Sequence, residues 1–379
     1  MSLTTTRCPL ALALVAVLSV ALVAPRAAAQ CSGIHPQDKH VPSDAASDDR
    51  AGIAVALDGY TAVVGAPRDD DGGFSSGSAY VYRFDGSVWA EEAKLTADDA
   101  AAGDEFGSAV ATHQSRVVVG APRDDDLGSD SGAAYVFQFD GEGWGQVAKL
   151  LPPDGSSGDR FGTCVAIEGD LIAVGAPKHD AAAYDGGAVY TFRYIDGQWV
   201  FSQKLMAGDS GLLQWFGSAV AIDGGAVAVG APQDDQQAGN AGAIYVYQPA
   251  GVELIADTKL VATDAASNAR FGTSVSFEGD ILATGAVGDG AGGIGAGAVY
   301  VFHFDGAGWD GGRKLMADDA DATDAFGESL AVWGDALLVG APFDDDGGDN
   351  SGSVYVFHYD GWNWSQDAKL IALDAGPAD

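Results

Sequence analysis

Read for its pattern of apolar and polar positions, the chain is a succession of short apolar or alternating segments cut by Gly- and Asp-rich turns. That pattern predicts many short strands in preference to long helices. Taking one stretch as the example, strands are predicted at 107–112, 116–121, 133–139 and 144–150. The turn between the first two is tight, as at Asp58-Gly59 and Glu278-Gly279-Asp280, where Gly supplies the positive φ that a two-residue hairpin requires. The turn between the last two is again Asp-Gly, at Asp85-Gly86, Asp140-Gly141, Asp305-Gly306 and Asp360-Gly361.

The same four segments return with a fixed period. Phe-Gly stands at Phe106, Phe161, Phe216, Phe271 and Phe326, always 55 residues apart, with Ala51-Gly52 as a degenerate first copy. Gly-Ala-Pro starts at Gly65, Gly120, Gly175, Gly230 and Gly340, and the fifth copy reads Gly285-Ala286-Val287. Lys-Leu closes each unit, at Lys94, Lys149, Lys204, Lys259, Lys314 and Lys369, in the same register. Six units fill 51–370 and leave no room for a separate catalytic domain.

Four antiparallel strands repeated at this period predict an all-β protein, a β-propeller of six four-stranded blades, with seven-bladed closure as the alternative. The third strands carry Tyr-x-aromatic (Tyr80 and Tyr82, Tyr135 and Phe137, Tyr190 and Phe192), and these rings are expected to pack against the next blade. Lys39 falls one period before Lys94, so two segments compete for the last fourth-strand slot. The C-terminal Lys369-Leu370 is expected to take it and to leave the N-terminal stretch as a surface strap.

Composition refines the picture. Residues before 30 differ from the rest: Arg7 lies in a polar start, an apolar run extends from Leu10 to Ala24, and Ala27-Ala28-Ala29 offers the small residues of a cleavage site. The expected organisation is therefore a cleaved signal peptide at 1–29, a strap at 30–50 and the propeller at 51–379, secreted and without a transmembrane segment once the leader is removed. Removal of Cys8 with the leader leaves Cys31 and Cys164, too few for a disulfide scaffold. A net charge of −35 argues against nucleic-acid partners and favours cations or basic ones.

Phe-Gly followed by Gly-Ala-Pro in register over all six units resembles the FG-GAP repeat proteins, whose best-known members are the propellers of integrin α subunits, and the shorter bacterial proteins of that type. The resemblance implies a propeller, an extracellular setting and a role in adhesion or ligand binding. Integrin propellers place an Asp-x-Asp-x-Asp-Gly calcium loop between the two motifs. Here the interval from Gly107 to Gly120 is thirteen residues with a tight turn, too short for it.

Acidic residues instead follow Gly-Ala-Pro, at Asp69, Asp70 and Asp71, at Asp124, Asp125 and Asp126, and at Asp344, Asp345 and Asp346, with weaker versions at Asp234-Asp235, Asp180 and Asp289. Such carboxylates are candidate Ca²⁺ ligands, against the plainer reading of a solvated acidic turn. Strand parity puts these loops and the inter-blade connectors, which carry Asp99, Asp154, Asp209, Asp264 and Asp319, on one face of the disc. Ring closure would make the three triplets one acidic patch. The expected function is non-catalytic binding of divalent cations or of an extracellular protein or glycan, with a structural surface component or a propeller hydrolase as alternatives. Gly73-Phe74-Ser75-Ser76-Gly77 matches a nucleophile elbow only by pattern, because it lies in a repeat loop and not on a strand-to-helix turn. The histidines have no zinc spacing.

Overall fold

The computed structural model describes residues 39–180, 183–209 and 211–376; the expected leader and residues 30–38 of the strap lie outside them. Within the described residues, 24 strands form six four-stranded antiparallel sheets, each made of four consecutive strands in sequence order. The protein is a β-propeller whose blades span 54–95, 109–150, 164–205, 219–260, 271–315 and 329–370. No helix among these residues is long and apolar enough to cross a membrane.

In the second blade the strands are Ala109–His113, Arg116–Ala121, Ala133–Phe139 and Trp144–Leu150. The last three have the expected bounds. The first starts two residues late because Phe106-Gly107 is used between blades: Phe106 forms a parallel bridge with Gly77 of the preceding blade, and its amide donates to Ser76 O at 3.0 Å. The period-two alternation then divides the blade. Val118, Ala134, Val136 and Leu150 meet Ile172, Val174, Tyr190 and Phe192 of blade three. Val117, Val119, Tyr135 and Phe137 meet Val63, Val81 and Leu95 of blade one. The aromatic pair thus faces the preceding blade, not the next one as expected, because alternation fixes which residues share a face but not which neighbour that face meets.

The two defining motifs touch each other across the blades, which explains why both need Gly. A Cβ on Gly65 would lie 1.9 Å from Gly107 O, and the same clash, at 1.9–2.1 Å, recurs for Gly120, Gly175, Gly230 and Gly285 against the Gly of the next Phe-Gly. Backbone runs against backbone there, and no side chain fits. Each Phe packs edge-on to the Tyr of its own blade, as Phe106 does to Tyr135 with ring centroids 5.4 Å apart, and both are fully buried. Burial of such a ring stabilises by about 2–3 kcal/mol.

Five junctions follow this rule. Between blades six and one, both described, the amide bond, the Gly–Phe bridge and the Gly–Gly approach are all absent: Gly340 meets only Ser329, and Gly352 has no bridging partner. The fourth strand of blade six is Trp364–Leu370, so the C-terminal copy takes the contested slot as expected. The described part of the strap, 39–50, is built like an inter-blade connector. Asp44 holds Tyr80 and Lys94 in the way Asp99 holds Tyr135 and Lys149. The chain ends meet through Lys39 Nζ and Asp374 Oδ2 at 2.7 Å. Asp374 is one period after Asp319, which Lys369 holds, so Lys39 and Asp374 pair as the lysine and connector of a further blade would.

Candidate functional site

The loops between second and third strands and the inter-blade connectors share one face, as parity requires. They are tied together at each of the five junctions between consecutive blades, for example by Gly103 N to Phe74 O at 2.9 Å and Leu213 N to Tyr184 O at 2.8 Å.

Under this face each blade carries one polar centre made from three of the recurring markers. Tyr80 and Lys94 are opposed across the third and fourth strands, with the ammonium 5.3 Å from the ring centre. The Tyr80 hydroxyl lies 2.8 Å from both Asp44 and Asp69. Lys94 Nζ lies 2.7 Å from Asp44, 2.9 Å from Asp69 and 2.6 Å from Asp71. Blade two repeats this with Lys149 at 2.7, 2.9 and 2.6 Å from Asp99, Asp124 and Asp126. Blade six does so with Lys369 on Asp319, Asp344 and Asp346 at 2.8, 2.8 and 2.6 Å.

The three residues of a triplet therefore have three separate roles. The first, Asp69, Asp124 or Asp344, is buried and bound to both Tyr and Lys. The second caps the loop: Asp70 accepts from Ser75 N at 2.6 Å, Asp125 from Asp130 N at 2.8 Å and Asp345 from Asn350 N at 2.7 Å, each donor residue having positive φ. The third, Asp71, Asp126 or Asp346, is exposed and closes on the lysine from outside.

Electrostatics follow from this geometry. Burial works to raise the Asp69 carboxyl, yet hydrogen bonds from Lys94, the Asp71 amide and Tyr80 outweigh it and hold it below 3.8. Asp99 and Asp344 are lowered by the same balance. Desolvation opposes the Lys94 charge, but its carboxylate partners win and push the ammonium up, while burial pushes the Tyr80 phenol up. A lysine so held is neither base nor nucleophile. It is a resident cation that staples connector and loop to the blade.

The carboxylate oxygens of Asp44, Asp69 and Asp71 gather within 4.8 Å of one another, as do those of Asp99, Asp124 and Asp126, a spacing compatible with a metal ion. In both clusters the lysine ammonium lies within 2.9 Å of all three, so a divalent ion there has to displace it. Of the three triplets, those of blades one and two lie across a regular junction, whereas among the described residues blades six and one share no such bridge or backbone bond.

Blade three departs from the pattern. The slot of the first Asp holds His179, which is buried, so Asp180 aligns with the capping position and indeed accepts from Asp185 N at 2.8 Å. Lys204 Nζ lies 2.5 Å from His179 Nε2, and His179 Nδ1 lies 2.8 Å from Asp159 Oδ2. An ammonium only donates, so Nε2 accepts and the ring proton sits on Nδ1, directed at Asp159.

The serines of the elbow-like stretch have structural partners. Ser76 is buried and its hydroxyl donates to Asp69 O at 3.3 Å, while Ser75 is held at φ 50°. The Cys164 thiol donates to Gly217 O at 3.1 Å, and burial pushes it up to about 12, which makes it unreactive.

The sequence reading singled out the triplets but not the lysines and tyrosines that complete each centre. All were visible as markers of equal period, and their constant offset was the signal: Tyr lies 11 residues and Lys 25 residues beyond the first Asp.

No curated protein matches the chain. The profile of the FG-GAP repeat matches six stretches, 36–82, 89–137, 144–192, 199–247, 256–302 and 309–357, each running from the fourth-strand position of one unit to the third strand of the next. With the Phe-Gly and Gly-Ala-Pro backbones in contact at every regular junction and these matches covering most of its length, the chain belongs to the FG-GAP repeat family.

Proposed function

We propose that the protein is a secreted, non-catalytic binding propeller that meets an extracellular protein or glycan with its loop face. FG-GAP repeats are typical of extracellular proteins, and propellers of this family are typically non-catalytic. The observation that carries the reading is a constant frame with variable tips. The loops of blades one to five are anchored to the following connector by the same backbone bond, from Gly103 N to Phe74 O through Thr323 N to Ile294 O, while the exposed loop tips read Phe74, Ser129, Tyr184, Gly239, Ile294 and Asp349 around the disc. Phe74 is 78% exposed and Ile294 87%, so these side chains contribute nothing to the core. A rigid scaffold with interchangeable tips is the architecture that recognition loops use.

Bound metal is not required for this role, because the lysines already neutralise the buried carboxylates. The test is an extracellular-protein and glycan array probed with the protein and with a variant in which Phe74, Tyr184 and Ile294 are all Ser, each with and without Ca²⁺. Ligands lost in the variant and retained without Ca²⁺ are expected. Equal binding by both proteins would move the site to the opposite face, and binding seen only with Ca²⁺ would restore the metal to the mechanism.

A further inference from the structure

One junction differs from the others in a way its own packing does not require. In the connector between blades three and four, Leu212 and Leu213 stand where blade two's connector has Ala102 and Gly103. Leu213 is held at φ 60°, in a slot where Gly103 and Gly158 take φ 98° and 89° and where the polar Asn268 and Thr323 take 64° and 77°, so what is particular to this junction is a large apolar side chain in that conformation. The left-handed region suits Gly and disfavours a side chain such as Leu. The strain is not offset by burial: Leu213 is 45% exposed and Leu212 67%. Tyr184, whose carbonyl accepts the Leu213 amide, is 62% exposed.

At the same junction three acidic slots are lost. His179 replaces the first Asp of the triplet, Ala181 replaces the third, and Gln214 takes the place of Asp104. His179 and Gln214 are polar and buried, so what this sector of the face loses at its surface is the third carboxylate, the exposed one in Asp71 and Asp126, beside the exposed Tyr184, Leu212 and Leu213. Asp180 and Asp185 border the sector, and among the described residues neither is in an ion pair; Lys204 is taken up by Asp154 and His179, and Lys178 lies over the Trp215 ring at 5.7 Å. Strained, exposed and apolar together are the marks of a contact surface.

We infer that Tyr184, Leu212 and Leu213 anchor a partner protein through a segment that presents an apolar side chain flanked by Lys or Arg. The apolar side chain covers the leucines and the ring. The flanking cations are drawn by Asp180, Asp185 and a net charge of −35. This inference rests on the binding role proposed above and narrows it to one sector and one class of ligand.

The test selects a library of random short peptides against the protein at physiological salt. The enriched peptides are then measured on the protein, on Leu212→Ser/Leu213→Gly, and on Val88→Ser/Val252→Ser, two exposed positions in turns between third and fourth strands, on the opposite face. Enriched sequences are expected to combine Leu or an aromatic residue with basic neighbours. They are expected to bind the first variant at least about tenfold more weakly and the second unchanged. Because Gly is the residue suited to position 213, the first variant should melt no lower than the parent. If it does melt lower, Leu212→Ser alone repeats the comparison at an exposed position. Enrichment of purely basic peptides that bind all three proteins alike overturns the inference while leaving a binding face in place. No enrichment, combined with glycan binding that Leu212→Ser abolishes, overturns the protein class of the ligand. Failure of every probe on arrays and library alike sinks the binding role itself.

Discussion

At the junction between blades two and three, Phe161 is fully buried, bridges Gly132 and packs edge-on to Tyr190 at 5.6 Å. At the start of blade one the same slot holds Ala51, and no glycine of blade six bridges to it among the described residues. The polar pair differs in parallel. Lys149 is mostly buried and grips the buried Asp124, whereas Lys39 and Asp374 are 48% and 55% exposed. One repeat therefore yields two kinds of contact. Interior junctions combine aromatic burial, backbone-to-backbone approach and caged charge, and the chain ends are joined by a surface ion pair. The degenerate Ala51-Gly52 is accounted for: a Phe is required only where a preceding blade offers its Gly and its carbonyl.

The strongest way to break this comparison is Phe161→Ala. It should cost about 3–5 kcal/mol as a cavity opens between two blades, seen as a lower urea midpoint. A loss under about 1 kcal/mol would mean that the junction is held by its backbone contacts alone. Next is Lys149→Met, which strands the buried Asp124 and should cost about 3 kcal/mol, against about 0.5 kcal/mol for Lys39→Met at the exposed pair. Millimolar Ca²⁺ should recover part of the Lys149→Met loss, since the freed oxygens are within reach of one ion, and should leave the parent's melting unchanged. Stabilisation of the parent by Ca²⁺ would show the ammonium to be displaceable.

The pH dependence sharpens the same distinction. Asp69, Asp99 and Asp344 are held below 3.8 in the folded protein, so their contribution is present above that value and is lost as pH falls through their lowered folded values. Asp104 and Asp324 act in the opposite sense, because burial raises them. Each weakens the fold when ionised and ceases to do so as pH drops through its raised value. Urea midpoints are thus expected to hold or rise slightly as pH approaches about 4, and to fall below it. A midpoint that declines steadily from neutral pH would locate the acid sensitivity elsewhere. The smallest effect is expected from Ala51→Phe, which should change stability by less than about 0.5 kcal/mol. A gain of about 2 kcal/mol would instead reveal a neighbour able to bury that ring as the interior junctions do.

Most of the fold was legible because a repeat states its boundaries six times. Arg116–Ala121, Ala133–Phe139 and Trp144–Leu150 are where alternation and Asp-Gly turns put them. The error at the first strand of that blade has a cause outside the blade, since Phe106 is committed to Gly77 of its neighbour. The triplets were read as one chemical unit because they are contiguous. Their three roles depend on Tyr80, Lys94 and the connector Asp44, which lie 9 to 27 residues from Asp71 in the chain and meet it only when strands pair and blades stack. Zinc spacing was the one pattern sought among the histidines, whereas the period places His179 in the slot of the first Asp and so beside Lys204.

The sequence by itself determined the number of complete blades, their strands, the face shared by loops and connectors, and the positions where only Gly fits. Each of these follows from local geometry and a fixed period, which act within a unit and between adjacent units. Tertiary structure alone decided that the acidic loops are caged by lysines, that the aromatic rings face the preceding blade, that Lys39 pairs with Asp374, and that Leu213 is strained and exposed. Those outcomes depend on which groups from distant parts of the chain arrive at the same few ångströms, and a charge's role is set by the neighbours that arrive there with it.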